Sequence, residues 1–167
     1  MANNCFYMLR AVSNKKAALD RLVSIMKYED PWYYIYRVFS ADEDAECEES
    51  DGLFSLEISG DVAWSARLWV HDEQSSYNPK TEKQYKTITE LCKMLNIAVE
   101  IYTKETGLEF QEHYIVDNLG NILVSEHVGW GEEYADDDED LIEPIGEWGG
   151  FEDFGNWTDG IFKERKE

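Results

Sequence analysis

Three histidines, three cysteines and 36 carboxylates are the side chains with which this chain could do chemistry. Glu112-His113 and Glu126-His127 repeat one dipeptide on either side of the turn-like stretch "DNLGN". A hairpin folded at that turn would bring His113 near His127 with both glutamates beside them, a set of imidazole and carboxylate ligands suited to a divalent metal. Solvated residues on the outside of two strands explain the same pattern without a metal. No serine or cysteine sits in a recognised nucleophile motif, and the run "DDDEDLIEPIGE" lacks the alternating Asp, the central Gly and the terminal Glu of a calcium loop. Neither of the glycine patterns that cradle phosphate occurs. The expectation is a protein that is not an enzyme and that carries no metal and no cofactor.

Charge decides more than any motif. Fifteen basic residues against 36 acidic ones leave a formal charge of -21 and an isoelectric point near 4.3. Nucleic acid and anionic membrane are polyanions and would repel such a chain, so direct binding to either is excluded as an expectation. A basic protein surface would attract it, including a groove shaped to hold a phosphate backbone. The charge is also uneven. Met1 to Lys27 carries five cations, Arg10, Lys15, Lys16, Arg21 and Lys27, against Asp20 alone. Between Lys104 and Lys163 there is no Lys or Arg and there are 17 acids. A second cluster, "DEDAECEESD" from Asp42 to Asp51, has seven acids in ten positions and is expected to be an exposed loop.

Length and composition fit a folded protein in the cytoplasm. With 167 residues and 43% hydrophobic side chains there is material for one core. No run approaches the roughly 18 apolar residues of a membrane span, and "MANNCFYMLR" lacks the order of a secretory signal. Cys5, Cys47 and Cys92 are odd in number and widely spaced, so reduced thiols are expected.

The elements that would position these residues follow from periodicity. "CFYMLRAV" is rich in strand formers, and Ser13 or Asn14 can cap the helix that follows. Leu19, Leu22, Val23 and Met26 then fall on one helical face, with Pro31 as the stop. "WYYIYRVFS" and the alternating "GLFSLEISG" are expected to pair as a hairpin across the acidic loop. "KTITELCKMLN" places Ile88, Leu91, Cys92 and Leu95 at helical spacing. "IAVEIYT", "EFQEHYIVD" and "NILVSEHV" read as three strands, the last two joined by a tight turn at Asn118 and Gly120. The order strand, helix, strand, strand, helix, strand is the split βαβ plan. The fold expected is therefore α+β, ferredoxin-like, with an extended antiparallel sheet and two helices on one face.

Three stretches carry a family resemblance. They are "MANNC" before the first strand, "SGDVAWS" after a later one, and "VEIYTKETGLEFQEHYIVDNLG". On Asn3, Asn4, Cys5, Ala63, Trp64, Tyr102, Glu105, Gly107, Phe110 and Tyr114 the chain resembles the YubB ferredoxin-like family, small proteins of plasmids, phages and integrated elements. The resemblance spans residues 1–124 and implies a ferredoxin-like fold and a mobile-element origin. It implies no catalytic residue. The region from Gly129 onward falls outside it, so residues 1–128 are expected to form the domain and 129–167 an acidic, aromatic-rich extension docked on it.

That extension holds Trp130, Trp148, Phe151, Phe154 and Trp157 among its acids, more apolar surface than a solvated tail would carry. The functional expectation is an inhibitor that mimics DNA, of the anti-CRISPR kind, occupying a nucleic-acid groove in a host defence protein. Its partner-binding residues would be Asp42, Glu43, Asp44, Glu46, Glu48, Glu49, Asp51, Glu132, Glu133, Asp136, Asp137, Asp138, Glu139, Asp140, Glu143, Trp148 and Phe154. The alternatives are an adaptor that binds protein through its aromatic tail, and a metal-binding enzyme built on His113 and His127.

Overall fold

The computed structural model describes residues 4–35, 41, 45–50, 52–63, 65–71, 82–105, 110–129, 156–158 and 161–163. The fold is α+β, with a six-stranded antiparallel sheet at its centre. In chain order the elements are β1 (Asn4–Ser13), α1 (Lys16–Met26), β2 (Tyr33–Tyr34), β3 (Glu48–Ser50), β4 (Leu53–Ala63) and α2 (Arg67–Val70). They continue with β5 (Gln84–Tyr85), α3 (Ile88–Leu95), β6 (Ala98–Glu105), β7 (Phe110–Val116), β8 (Ile122–Gly129), β9 (Asn156–Thr158) and β10 (Ile161–Lys163). The large sheet runs β3-β4-β1-β6-β7-β8, while β2 pairs with β5 and β9 with β10 in separate two-stranded sheets.

Strand alternation sorts the side chains of β1 onto two faces. Cys5, Tyr7, Leu9 and Ala11 share one face with Leu56, Ile58 and Val62 of β4, Val99 and Ile101 of β6, and Tyr114 and Val116 of β7. Helices α1 and α3 cover that face. They bring Leu19, Leu22, Ile25 and Met26, then Ile88, Leu91 and Cys92, into the same core. Trp69 of α2 is fully buried and meets the Tyr7 ring edge-on at 5.1 Å. A smaller cluster of Val12, Ala98 and Ile115 lies on the other face.

Most expected elements form, with three corrections. Neither Ser13 nor Asn14 caps α1. Lys15 occupies that position without a side-chain cap, and Ser13 Oγ instead accepts from Lys15 N–H while donating to the Asn96 carbonyl. The helix also stops at Met26, well before Pro31, because Tyr28 turns left-handed at φ 62°.

The second correction concerns the expected hairpin. Tyr33 and Tyr34 do not pair with β4 but run parallel to Gln84 and Tyr85, and residues 36–40 lie outside the described residues. The third falls on the acidic cluster, read as loop throughout. Glu48–Ser50 form the edge strand β3, because the turn at Gly52 (φ +80°) folds them directly onto β4. Backbone pairing next to a tight turn outweighs the local repulsion of two adjacent glutamates. Among the described residues no helix is long and apolar enough to cross a membrane.

Candidate functional site

The register of β7 and β8 decides the fate of the two Glu-His pairs. Glu112 stands opposite His127 and His113 opposite Glu126. Adjacent strand residues point to opposite faces, so the two imidazoles lie on different sides of the sheet. The alternative metal set that the repeated dipeptide offered therefore does not assemble from these two imidazoles, and no group of three or more His, Cys, Asp or Glu gathers as metal ligands among the described residues.

On the helix face, Glu112 is fully buried and accepts four hydrogen bonds. Oε1 receives the Ser65 and Tyr114 hydroxyls, and Oε2 receives Ala66 N–H at 3.1 Å and the Thr103 hydroxyl at 2.6 Å. Four donors from three segments satisfy a buried carboxylate. With its lone pairs so engaged, Glu112 is a structural hub. It ties the start of α2 to the sheet, where Ser65 Oγ also accepts from Arg67 N–H. The other end of α2 is tied by His71, whose Nε2 lies 2.7 Å from Ser125 Oγ on β8 and whose ring meets Tyr114 edge-on. A histidine that near a serine has the spacing of a base and its nucleophile. No carboxylate among the contacts described orients His71, so the pair reads as a brace between α2 and β8. His127 is exposed and stacks on Phe110 at 5.0 Å.

On the opposite face, ionisable residues form a row across four strands. Arg10 Nε lies 3.3 Å from Glu57 and its Nη1 lies 3.7 Å from Glu100, while His113 Nε2 donates to Glu100 at 2.7 Å. Arg10, Glu100 and His113 are all buried there. Alternation of type in this row keeps like charges apart, which is why it is tolerated away from water.

The acidic residues singled out by the sequence divide. Glu46, Glu48 and Glu49 are exposed at the β3 edge, and Glu57 joins them on neighbouring β4. Asp42, Glu43, Asp44, Asp51, Glu132, Glu133, Asp136, Asp137, Asp138, Glu139, Asp140, Glu143, Trp148 and Phe154 lie outside the described residues. The surface also holds a feature sequence reasoning passed over. Trp32 is 68% exposed beside an interleaved set of rings and cations. Lys83 Nζ sits 3.8 Å from the centre of the Tyr28 ring, and Arg21 and Lys86 lie over Tyr33 at 5.2 and 5.4 Å. Asp30 organises this corner by accepting from Trp32 N–H, Tyr33 N–H and Arg21 Nε. The signal was present in "YEDPWYY", where an Asp precedes a Pro and two bondable N–H groups.

Compared with protein-family models, curated proteins and solved structures, the chain has no match.

Proposed function

We propose that this chain is an inhibitor that binds protein through negative charge, occupying the nucleic-acid groove of a basic host defence factor as a mimic of DNA. The observation that carries the reading is the acidic edge. Glu48 and Glu49 face solvent on β3, the edge strand among the described residues, with Glu46 exposed just before it, in a chain of charge -21 whose stretch from Lys104 to Lys163 has no cation between its ends. A groove lined with Lys and Arg to hold phosphates offers the same attraction to carboxylates.

The scaffold we propose is ferredoxin-like, related to the YubB family of mobile elements. The order β3-β4-β1-β6, with α1 between β1 and the β3-β4 hairpin and α3 between β4 and β6, supports that reading. The two strands β7 and β8 extend the sheet beyond it.

Competition tests the function. Purified chain is titrated against a CRISPR effector carrying labelled guide RNA or duplex DNA, and displacement is followed as salt is raised. Displacement that weakens steeply with salt, and that fails when Glu46, Glu48, Glu49 and Asp136 to Asp140 are changed to amides, is the expected result. Binding indifferent to salt, or unchanged by the amides, sinks the proposal.

A further inference from the structure

Among the described residues, the two edges of the large sheet are unlike. β3 is three residues long and carries two exposed glutamates, the short and charged form in which edge strands avoid pairing. β8 is eight residues long, reads ILVSEHVG, and has no Lys, Arg or Pro and one acid, Glu126. Ile122 and Leu123 are each 37% exposed, and Leu119 in the preceding turn is 50% exposed. No strand among the described residues pairs with its outer side. Alternate N–H and C=O groups of an edge strand point away from its sheet, so this side presents a row of donors and acceptors. The His71 contact at Ser125 holds the strand in place against α2.

Charge narrows what such an edge can accept. Glu126 projects beside His113 on one face, and the acidic run begins almost at the end of the strand. Eight acids lie from Glu132 to Glu143. A second copy of this chain would bring its own charge of -21 to the same edge.

We infer that β8 is a docking edge for an extended, Lys- or Arg-bearing strand of a partner protein, which adds to the sheet by backbone hydrogen bonds. The inference rests on the proposed basic partner and names how it is held. Backbone pairing supplies the grip, and alternate side chains of the added strand meet Val124 and Glu126 on one face and Ser125 and His127 on the other. A cation aligned with Glu126 and an apolar residue aligned with Val124 fit that pattern.

The test uses two peptides of about ten residues, long enough to span β8. Both alternate valine and lysine and have blocked ends; in one, the amides along a single edge are N-methylated, which removes donors and leaves charge unchanged. The plain peptide is expected to bind about tenfold or more tightly than the methylated one, the loss of two or three backbone hydrogen bonds. Its binding should slow amide exchange across Ile122 to Gly129. Equal binding of both peptides without protection at β8 overturns the docking edge and leaves the acidic-surface reading standing. Binding of neither peptide also overturns it, while the groove competition judges the parent reading separately. A chain already dimeric, with β8 protected before peptide is added, overturns it in favour of self-pairing.

Discussion

Thr103 and Glu112 are direct partners in the β6-β7 register, and the Thr103 hydroxyl donates a 2.6 Å hydrogen bond to Glu112 Oε2 at a site without solvent. The same carboxylate holds Ser65, Ala66 and Tyr114, so its removal orphans donors on three segments at once. Glu112→Ala is expected to lower stability by about 3 kcal/mol or more, and Thr103→Val by about 1–2 kcal/mol. Urea denaturation reads both. Because the two residues share one network, the double variant should cost clearly less than the sum. An additive result would mean that the hydrogen bond contributes nothing.

Asp30 gives a dependence on acid. Burial works against its charge, but the N–H groups of Trp32 and Tyr33 and the Arg21 guanidinium outweigh that and hold the carboxyl below its ordinary 3.8. A carboxyl depressed in the fold stabilises above its unfolded pKa of about 3.9 and loses that contribution as pH falls through the lower folded value. Arg21 is partly exposed, so Asp30→Asn should cost only about 1–2 kcal/mol at pH 7. Denaturation curves of both proteins from pH 7 to pH 2 should show the gap closing below about pH 4. A gap constant across that range would assign Asp30 no special charge.

Gly52 and Gly120 separate backbone strain from lack of room. Both have positive φ, +80° and +83°. A Cβ on Gly52 would meet nothing within 4 Å, whereas one on Gly120 would come 2.8 Å from the Thr89 carbonyl oxygen. Gly52→Ala should cost about 1 kcal/mol of conformational strain. Gly120→Ala should cost clearly more, because backbone of α3 must move. Equal losses by thermal denaturation would show that the turn shifts freely away from α3.

How much of this was legible follows from the range of each interaction. Leu19, Leu22 and Met26 on α1, and Ile88, Leu91 and Cys92 on α3, announce themselves through spacing of three and four, and both stretches are helices. Thr87 and Glu90 also form a capping box, a local signature readable in "TITE". Glu112 was not readable as a hub. In "FQEHYIV" nothing distinguishes it from a solvated strand carboxylate, since its partners Ser65 and Ala66 come from a segment 47 and 46 residues away. The short pairing of Tyr33-Tyr34 with Gln84-Tyr85 fails for the same reason, being a contact between distant segments. β3 was missed because composition spoke for a loop while the turn at Gly52 imposed a ladder. The acidic surface was legible only as charge, and the place of β8 at the end of the strand order among the described residues required the topology.

The thiols provide a last check on the core. Burial, helped by the Asp117 carboxylate, pushes the Cys92 thiol well above its ordinary value, and burial with the Asp20 carboxylate raises Cys47. Cys5 is also buried. In native protein at pH 8 a disulfide reagent should therefore modify only Cys47, more slowly than the unfolded chain, with Cys5 and Cys92 appearing on denaturation. The sign for stability is opposite to that of Asp30. A thiol raised in the fold contributes fully below its unfolded pKa of about 8.5 and loses that contribution as pH climbs through the folded value, by about 1.4 kcal/mol per pH unit. Cys92→Ala removes this loss, so the stability advantage of the native chain over the variant should shrink from pH 8.5 to pH 10. Rapid modification of Cys92 in the native state would mean that α3 opens away from the sheet far more often than its packing in the shared core allows.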